Sequence, residues 1–167
     1  MGARLTKSDV EKIEAEIEHR KLVLRKELIE AVKEARAQGD LSENFEYYAA
    51  KREKNMNESR IRYLDKMLKF ATIVSDESSD DEVGMNNTVT IYIQEDDIEE
   101  TYKLVTSIRS NSMKGLVSIE SPLGKAIKGK KIGETATVVV DSSYSYDVII
   151  RNIDKSTGDS EDKLKRY

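Results

Sequence analysis

Gly39-Asp-Leu-Ser-Glu-Asn-Phe-Glu46 holds the only glycine between Thr6 and Ala71, a span that also lacks proline. On its N-terminal side Val10, Ile13, Ile17, Leu24, Leu28, Ala31 and Ala35 recur at spacings of three, four or seven. On the other side Tyr47, Ala50, Asn57, Ile61, Leu64, Leu68 and Ala71 do the same. The rest of the span is mostly Glu, Lys, Arg and Ala, residues that favour helix. Each stripe is a coiled-coil seam too narrow for one helix to bury alone. Two such stripes flanking one glycine bury each other if the chain folds back. The spacing therefore predicts an antiparallel helical hairpin with about 30 residues per arm, roughly 45 Å long at 1.5 Å per residue.

Working outward, Ser75-Asp-Glu-Ser-Ser-Asp-Asp-Glu82 is acidic, rich in serine and unable to bury itself, so it reads as a linker. β-rich runs follow at Thr88–Ile93, Thr101–Val105, Leu116–Ile119, Thr135–Val140 and Tyr146–Ile153. Between the third and fourth lies Ser121-Pro-Leu-Gly-Lys-Ala-Ile-Lys-Gly129. Serine as N-cap, proline at the first helical position and glycine past the end define one short helix. The expected class is α+β: hairpin at 1–74, acidic linker at 75–86, a small β-sheet domain at 87–153 and a frayed polar tail at 154–167.

Composition narrows the chemistry. The 167 residues contain no cysteine and one histidine, His19, which excludes disulfides, zinc–thiolate sites, cysteine catalysis and multi-histidine metal centres. His19 lies mid-arm between Glu18 and Arg20 and reads as surface. No run approaches the ~20 apolar residues of a membrane span, and the first residues have no apolar leader core. The expectation is a soluble cytoplasmic protein with no membrane partner. Net charge is −4, split between +2 over residues 1–75 and −6 over 76–167. Neither half carries the basic excess that bulk attraction to duplex nucleic acid requires.

At the reversal itself, Asp40 and Glu43 are two carboxylates at the far end of a rod. The spacing leaves two readings open. Asp-x-x-Glu before a helix is a capping box, in which Asp40 accepts from the Glu43 backbone and Glu43 reaches back. Alternatively the pair binds a metal or activates water. Two carboxylates cannot hold Mg²⁺ alone, because that ion keeps octahedral geometry and borrows phosphate oxygens and water. A catalytic tip of this kind has to complete a site on another molecule.

Gly39-Asp-Leu-Ser-Glu-Asn-Phe-Glu-Tyr-Tyr-Ala-Ala-Lys51 closely resembles the GDLSEN-x-EY-x-AAK signature of bacterial GreA-type transcript cleavage factors, the GreA/GreB family. Ala31-Val-Lys-Glu-Ala-Arg36 is similar to the run before that signature. Ser121-Pro-Leu-Gly-Lys-Ala-Ile-Lys-Gly-Lys130 resembles the family's C-terminal segment. The likeness spans roughly residues 4–153. It implies a coiled-coil hairpin followed by an FKBP-like domain. It further implies a monomeric accessory factor rather than a free-standing enzyme, docked at the secondary channel and rim of RNA polymerase. There Asp40 and Glu43 help hold a Mg²⁺ shared with the polymerase active site and activate water to cut backtracked RNA. By the same resemblance Lys51, Arg52 and Lys54 hold the displaced RNA 3′ end, and Ser121, Pro122 and Lys125 contact the rim.

Each of these residues also has a plainer reading. Lys51, Arg52 and Lys54 form a solvated helix face with Glu–Lys pairs. Tyr47 and Tyr48 pack beside the seam, whereas Phe45 is the better candidate for an outside contact. Ser121 and Pro122 start a helix. An isomerase pocket is not expected in a half without Trp or Phe. Lys125 stands where the family often has arginine, which keeps charge but loses bidentate geometry. Two alternative functions remain: a secondary-channel inhibitor that blocks without cutting, and a coiled-coil adaptor or chaperone.

Overall fold

The computed structural model describes residues 2–39 and 44–166. Its residues divide into two units, one made of residues up to Ala3 with Val10–Ala71, the other of Arg4–Asp9 with Thr72 onward.

The first unit is the hairpin. The first arm comprises α1 (Lys7–His19), one π-helical turn (Arg20–Leu24) and α2 (Arg25–Ala37); the second arm is α3 (Phe45–Phe70). The arms are antiparallel, as the cross-arm pairs show: Arg60 with Glu16 at 2.8 Å, Arg25 with Glu58 at 2.8 Å, and Lys21 with Asp65 at 3.8 Å. Ile13, Ile17, Ala35, Ile61 and Leu64 are buried in the seam. Asn57, a polar residue at a seam position, is buried as well. It accepts from Arg20 Nη1 at 2.9 Å and donates to the Arg20 carbonyl at 3.2 Å. A satisfied polar residue at such a position fixes register, because any slip leaves it unpaired. The π turn begins at Arg20 and was not expected from the heptad spacing. His19 is exposed, as read from sequence.

Glu16 sits between two guanidinium groups, Arg20 and Arg60, each at 2.8 Å. Burial alone would raise its carboxyl, but hydrogen bonds from Arg60 and Arg20 outweigh that and hold it below its ordinary range.

The second unit carries a five-stranded sheet of β3 (Thr88–Ile93), β4 (Ile98–Val105), β5 (Leu116–Ser118), β6 (Thr135–Val139) and β7 (Ser145–Asp154), in the order β5-β4-β3-β7-β6. All neighbours are antiparallel except β4 and β5. Along β3 and β6 every second residue is buried, so one face meets the core and the other meets water. Helix α4 (Pro122–Ile127) packs on both outer strands, which requires the sheet to curl around it. Val89, Ile91, Leu104, Ile127, Val138, Val148 and Ile150 form the core beneath. Glu95-Asp-Asp97 lies in the β3–β4 connection, while Glu99 and Glu100 belong to β4.

Three expectations need correcting. Residues 75–86 are not linker throughout: Val83, Met85 and Asn86 are buried, and Val83 exchanges backbone hydrogen bonds with Gly129 and Lys130. Acidic composition marked the stretch correctly only as far as Glu82. Arg4–Asp9 and Thr72–Val74 do not belong with the hairpin. They belong to the second unit: β1 (Arg4–Leu5) and β2 (Thr72–Ile73) pair in parallel with each other, and Asp9 bonds Thr106 and Arg109. The tail is not frayed: its polar groups hydrogen-bond back to the domain, a form of docking that apolar patterning cannot signal.

Two outcomes follow from this packing. A carboxylate with a folded pKa below its unfolded one adds stability that is present at neutral pH and lost as pH falls through the folded value. Glu16→Gln is therefore expected to destabilise the protein by about 1–2 kcal/mol at pH 7. The gap from wild type should close below about pH 4, as followed by circular-dichroism melts across pH. At Gly124 an added Cβ would lie 1.9 Å from the Ser118 carbonyl oxygen. Gly124→Ala should cost about 1–3 kcal/mol in the same melts.

Candidate functional site

Helix α2 ends at Ala37, with Gln38 donating to the Ala35 carbonyl at 3.4 Å. Gly39 follows with φ of +131°, a backbone conformation that side chains oppose and glycine adopts freely. Asp40 and Glu43, the two candidate acids, lie outside the described residues.

The other flank of that segment shows how α3 begins. Helix α3 starts at Phe45, and its N-cap is Asn44, whose Oδ1 accepts from the Tyr47 backbone N–H at 3.0 Å. The N-cap of α3 is thus one residue past Glu43. The same Asn44 side chain donates through Nδ2 to the Ala35 carbonyl at 2.6 Å. One amide therefore satisfies an orphan donor of α3 and a carbonyl in the last turn of α2. It fastens the two arms where they converge. Sequence reasoning passed over Asn44 because Asp-x-x-Glu was the stronger pattern, although asparagine three residues before Tyr47 is itself a cap signal.

Around this clamp the side chains sort by exposure. Phe45 is 84% exposed at the very start of α3. Tyr47 is half-buried, and Arg36 both donates to its hydroxyl at 3.4 Å and stacks over its ring at 5.5 Å. That hydrogen bond, with a smaller contribution from Lys51, holds the Tyr47 hydroxyl below its ordinary range despite partial desolvation. The packing reading of Tyr47 fits; Tyr48 contacts it edge-on and is about half exposed. Lys51 and Arg52 are exposed, whereas Lys54 is half-buried. Tyr47, Lys51, Lys54 and Glu58 share one helical stripe, so Lys51 and Lys54 project on the same side of α3. Lys54 also acts electrostatically on Glu58, whose carboxyl is lowered chiefly by its hydrogen bond from Arg25.

In the second unit, Ser121 caps α4. Its Oγ accepts from the Gly124 N–H at 3.0 Å and donates to the Ser118 carbonyl at 2.7 Å. The serine is used up structurally. Pro122 and Lys125 point into solvent from the first turns of the helix. Met113 is 96% exposed in the turn before β5. Among the described residues no group of three or more His, Asp or Glu side chains could hold a metal. The metal ligands expected from the sequence, Asp40 and Glu43, lie outside them. Their oxygens are the hard donors Mg²⁺ prefers, but two carboxylates are too few to complete its shell. No described helix is long and apolar enough to cross a membrane.

Comparison with known proteins agrees with this division. The family model described as "Transcription elongation factor, N-terminal" matches residues 3–73, and that described as "Transcription elongation factor, GreA/GreB, C-term" matches residues 77–155. The chain is 45% identical over 153 residues to the transcription elongation factor GreA of Streptococcus pneumoniae (strain G54), covering 91% of this chain and 95% of that one. Identity and coverage are the same for GreA of Streptococcus sanguinis (strain SK36). A solved structure of the transcription factor Gfh1 superposes with a TM-score of 0.45 at 22% identity, over 92% of this chain and 97% of that one. Both halves of the family, in order and along almost the whole length, are present here: the chain belongs to the GreA/GreB family and is a transcription elongation factor.

Proposed function

We propose that this factor binds bacterial RNA polymerase, inserts its hairpin tip into the secondary channel, and stimulates the polymerase's own cleavage of backtracked RNA. The observation that supports the catalytic part of this reading is Asn44. Asn44 caps α3 and ties it to α2, so the described residues account for the start of α3 without a carboxylate.

In this reading Asp40 and Glu43 supply part of an oxygen ligand set and accept a hydrogen bond from the attacking water. The rest of the set belongs to the polymerase. The shared Mg²⁺, when bound, supplies the Lewis acidity that lowers the water's pKa and supports the leaving oxygen. Lys51, Arg52 and Lys54 contact phosphates of the displaced RNA 3′ end, positioning it without reading sequence. Phe45, exposed at the start of α3, offers a face for an unstacked base. Pro122 and Lys125 contact the channel rim, with Ser121 shaping the turn that presents them. The chain acts as an accessory, one copy per polymerase, in the bacterial cytoplasm, and does not cut RNA alone.

Asp40→Asn is expected to lower stimulated cleavage by about 10–100-fold, the usual effect of losing a ligand or its support. Affinity for polymerase should stay unchanged. Gel analysis of transcripts from a stalled complex, with a parallel binding competition, reads both. Intact RNA at saturating wild-type factor would instead identify an inhibitor, and no binding at all an unrelated adaptor. Asn44→Ala should cost about 1 kcal/mol of local stability through the lost cap. It should speed amide exchange at Phe45–Tyr48 and reduce cleavage while Asp40 and Glu43 remain in place.

A further inference from the structure

Beyond Asp154 the chain turns back across the second unit. The Thr157 hydroxyl donates to the Asn86 carbonyl at 2.5 Å, and Lys103 Nζ donates to the Gly158 carbonyl. Asp162 takes Lys103 Nζ at 2.9 Å and Arg109 Nη1 at 2.8 Å. The Lys165 backbone N–H donates to the Ile108 carbonyl at 2.5 Å. These fastenings are polar and spread over nine residues, 157–165. The C-terminal family match ends at residue 155, so this strap lies past the shared domain.

The place where Asp162 lands is a receptor for a carboxylate. Arg109 is fully buried; its Nε donates to Asp9 Oδ1 at 2.5 Å, and its Nη1 also reaches Asn86 Oδ1 at 2.9 Å. Its Nη2 is buried without an acceptor. Lys103 lies beside it, its side chain 14% exposed. Two cations thus face two carboxylates. Asp9 is built in: it shares reciprocal hydrogen bonds with Thr6 at the start of α1 and accepts from Thr106. Asp162 sits on a surface strap. Without it the receptor keeps one uncompensated buried positive charge, an unfavourable state that a carboxylate from elsewhere relieves.

The strap also closes one side of a groove. Residues 161–166 form a wall of a cavity of about 1260 Å³. Tyr102, Leu116, Leu123, Val138 and Tyr146 line its apolar floor and far wall. Leu164 faces into it, half-buried. Ser121 and Pro122 open on the same cavity.

We propose that Arg109, Lys103 and this groove form a docking site for an extended segment with a carboxylate close to an apolar side chain. In cis, Asp162 of the Glu161–Arg166 strap occupies the cationic receptor and Leu164 walls the groove, so a partner carboxylate that docks here first displaces Asp162. The identity of that partner as RNA polymerase rests on the docking role proposed above for Pro122 and Lys125; the cis-occupied receptor does not. A tethered segment competes at an effective concentration in the millimolar range. For a strap of ~100 μM intrinsic affinity, releasing it raises a competitor's affinity about tenfold.

The test uses full-length chains, wild type and Asp162→Ala, and a fluorescein-labelled peptide of residues 155–166 read by anisotropy. The peptide should bind the variant about tenfold more tightly than wild type. A peptide carrying alanine at the position of Asp162 should bind neither chain. Equal binding of the peptide to both chains, or equal binding of both peptides, overturns the proposal. If Asp162→Ala melts below the assay temperature, Asp162→Asn keeps the side-chain shape and carries the comparison. A second arm measures both chains against core RNA polymerase. Tighter binding by the variant supports displacement, and unchanged binding overturns it. If neither chain binds polymerase, the docking reading fails while the peptide arm still decides the strap.

Discussion

An apolar stripe that covers only a fraction of a helix's circumference leaves that helix marginal in water, since propensity alone rarely sustains it. Each arm of the hairpin is in that position, and each supplies the other's missing partner. Ile13 and Ile17 on one arm and Ile61 and Leu64 on the other are buried only because the chain reverses between Ala37 and Phe45. Apolar stripes alone tolerate sliding. The polar residues placed among them do not. Asn57 on the Arg20 carbonyl, Arg60 on Glu16 and Arg25 on Glu58 each have one register in which they are satisfied. Register fixes which residues face each other at the far end, and there Asn44 meets Ala35.

The second unit answers a different constraint. A buried guanidinium needs counter-charge and acceptors in several directions, and no single segment here provides them. Arg109 draws them from Asp9 near the start of the chain, Asn86 ahead of the sheet, and Asp162 near the end. Three distant stretches converge because one cation is placed among them. This accounts for the capture of Arg4–Asp9 by the second unit. That segment contributes a two-residue strand, too little to hold on its own, but it brings the carboxylate that Arg109 requires.

Local periodic features were readable from sequence; long-range polar ones were not. Alternation located all five strands of the main sheet to within about three residues, because period-two burial is written into each strand separately. The Ser121-Pro122 start of α4 was legible for the same reason: cap, proline and final glycine sit within nine residues. The π turn was invisible, since one extra residue per turn changes spacing no more than an ordinary heptad irregularity. Val83 and Met85 hid behind an acidic run. Asp9 and Asp162 lie 100 and 53 residues from Arg109, and nothing in a charged residue's neighbours announces a partner so far away. At the tip the candidate acids were legible as a pair, whereas Asn44, which caps α3, stood hidden beside them.

That last point bears on why the pair sits where it does. A hairpin end could be closed by an acid in a capping box, and the sequence offers one. The chain uses an amide instead, with both ends of the Asn44 side chain engaged. An amide can donate and accept at once, so it joins α2 to α3 without introducing charge. An ionised carboxylate only accepts; bound into the cap it would be partly neutralised by the helix N-terminus and less able to serve a cation.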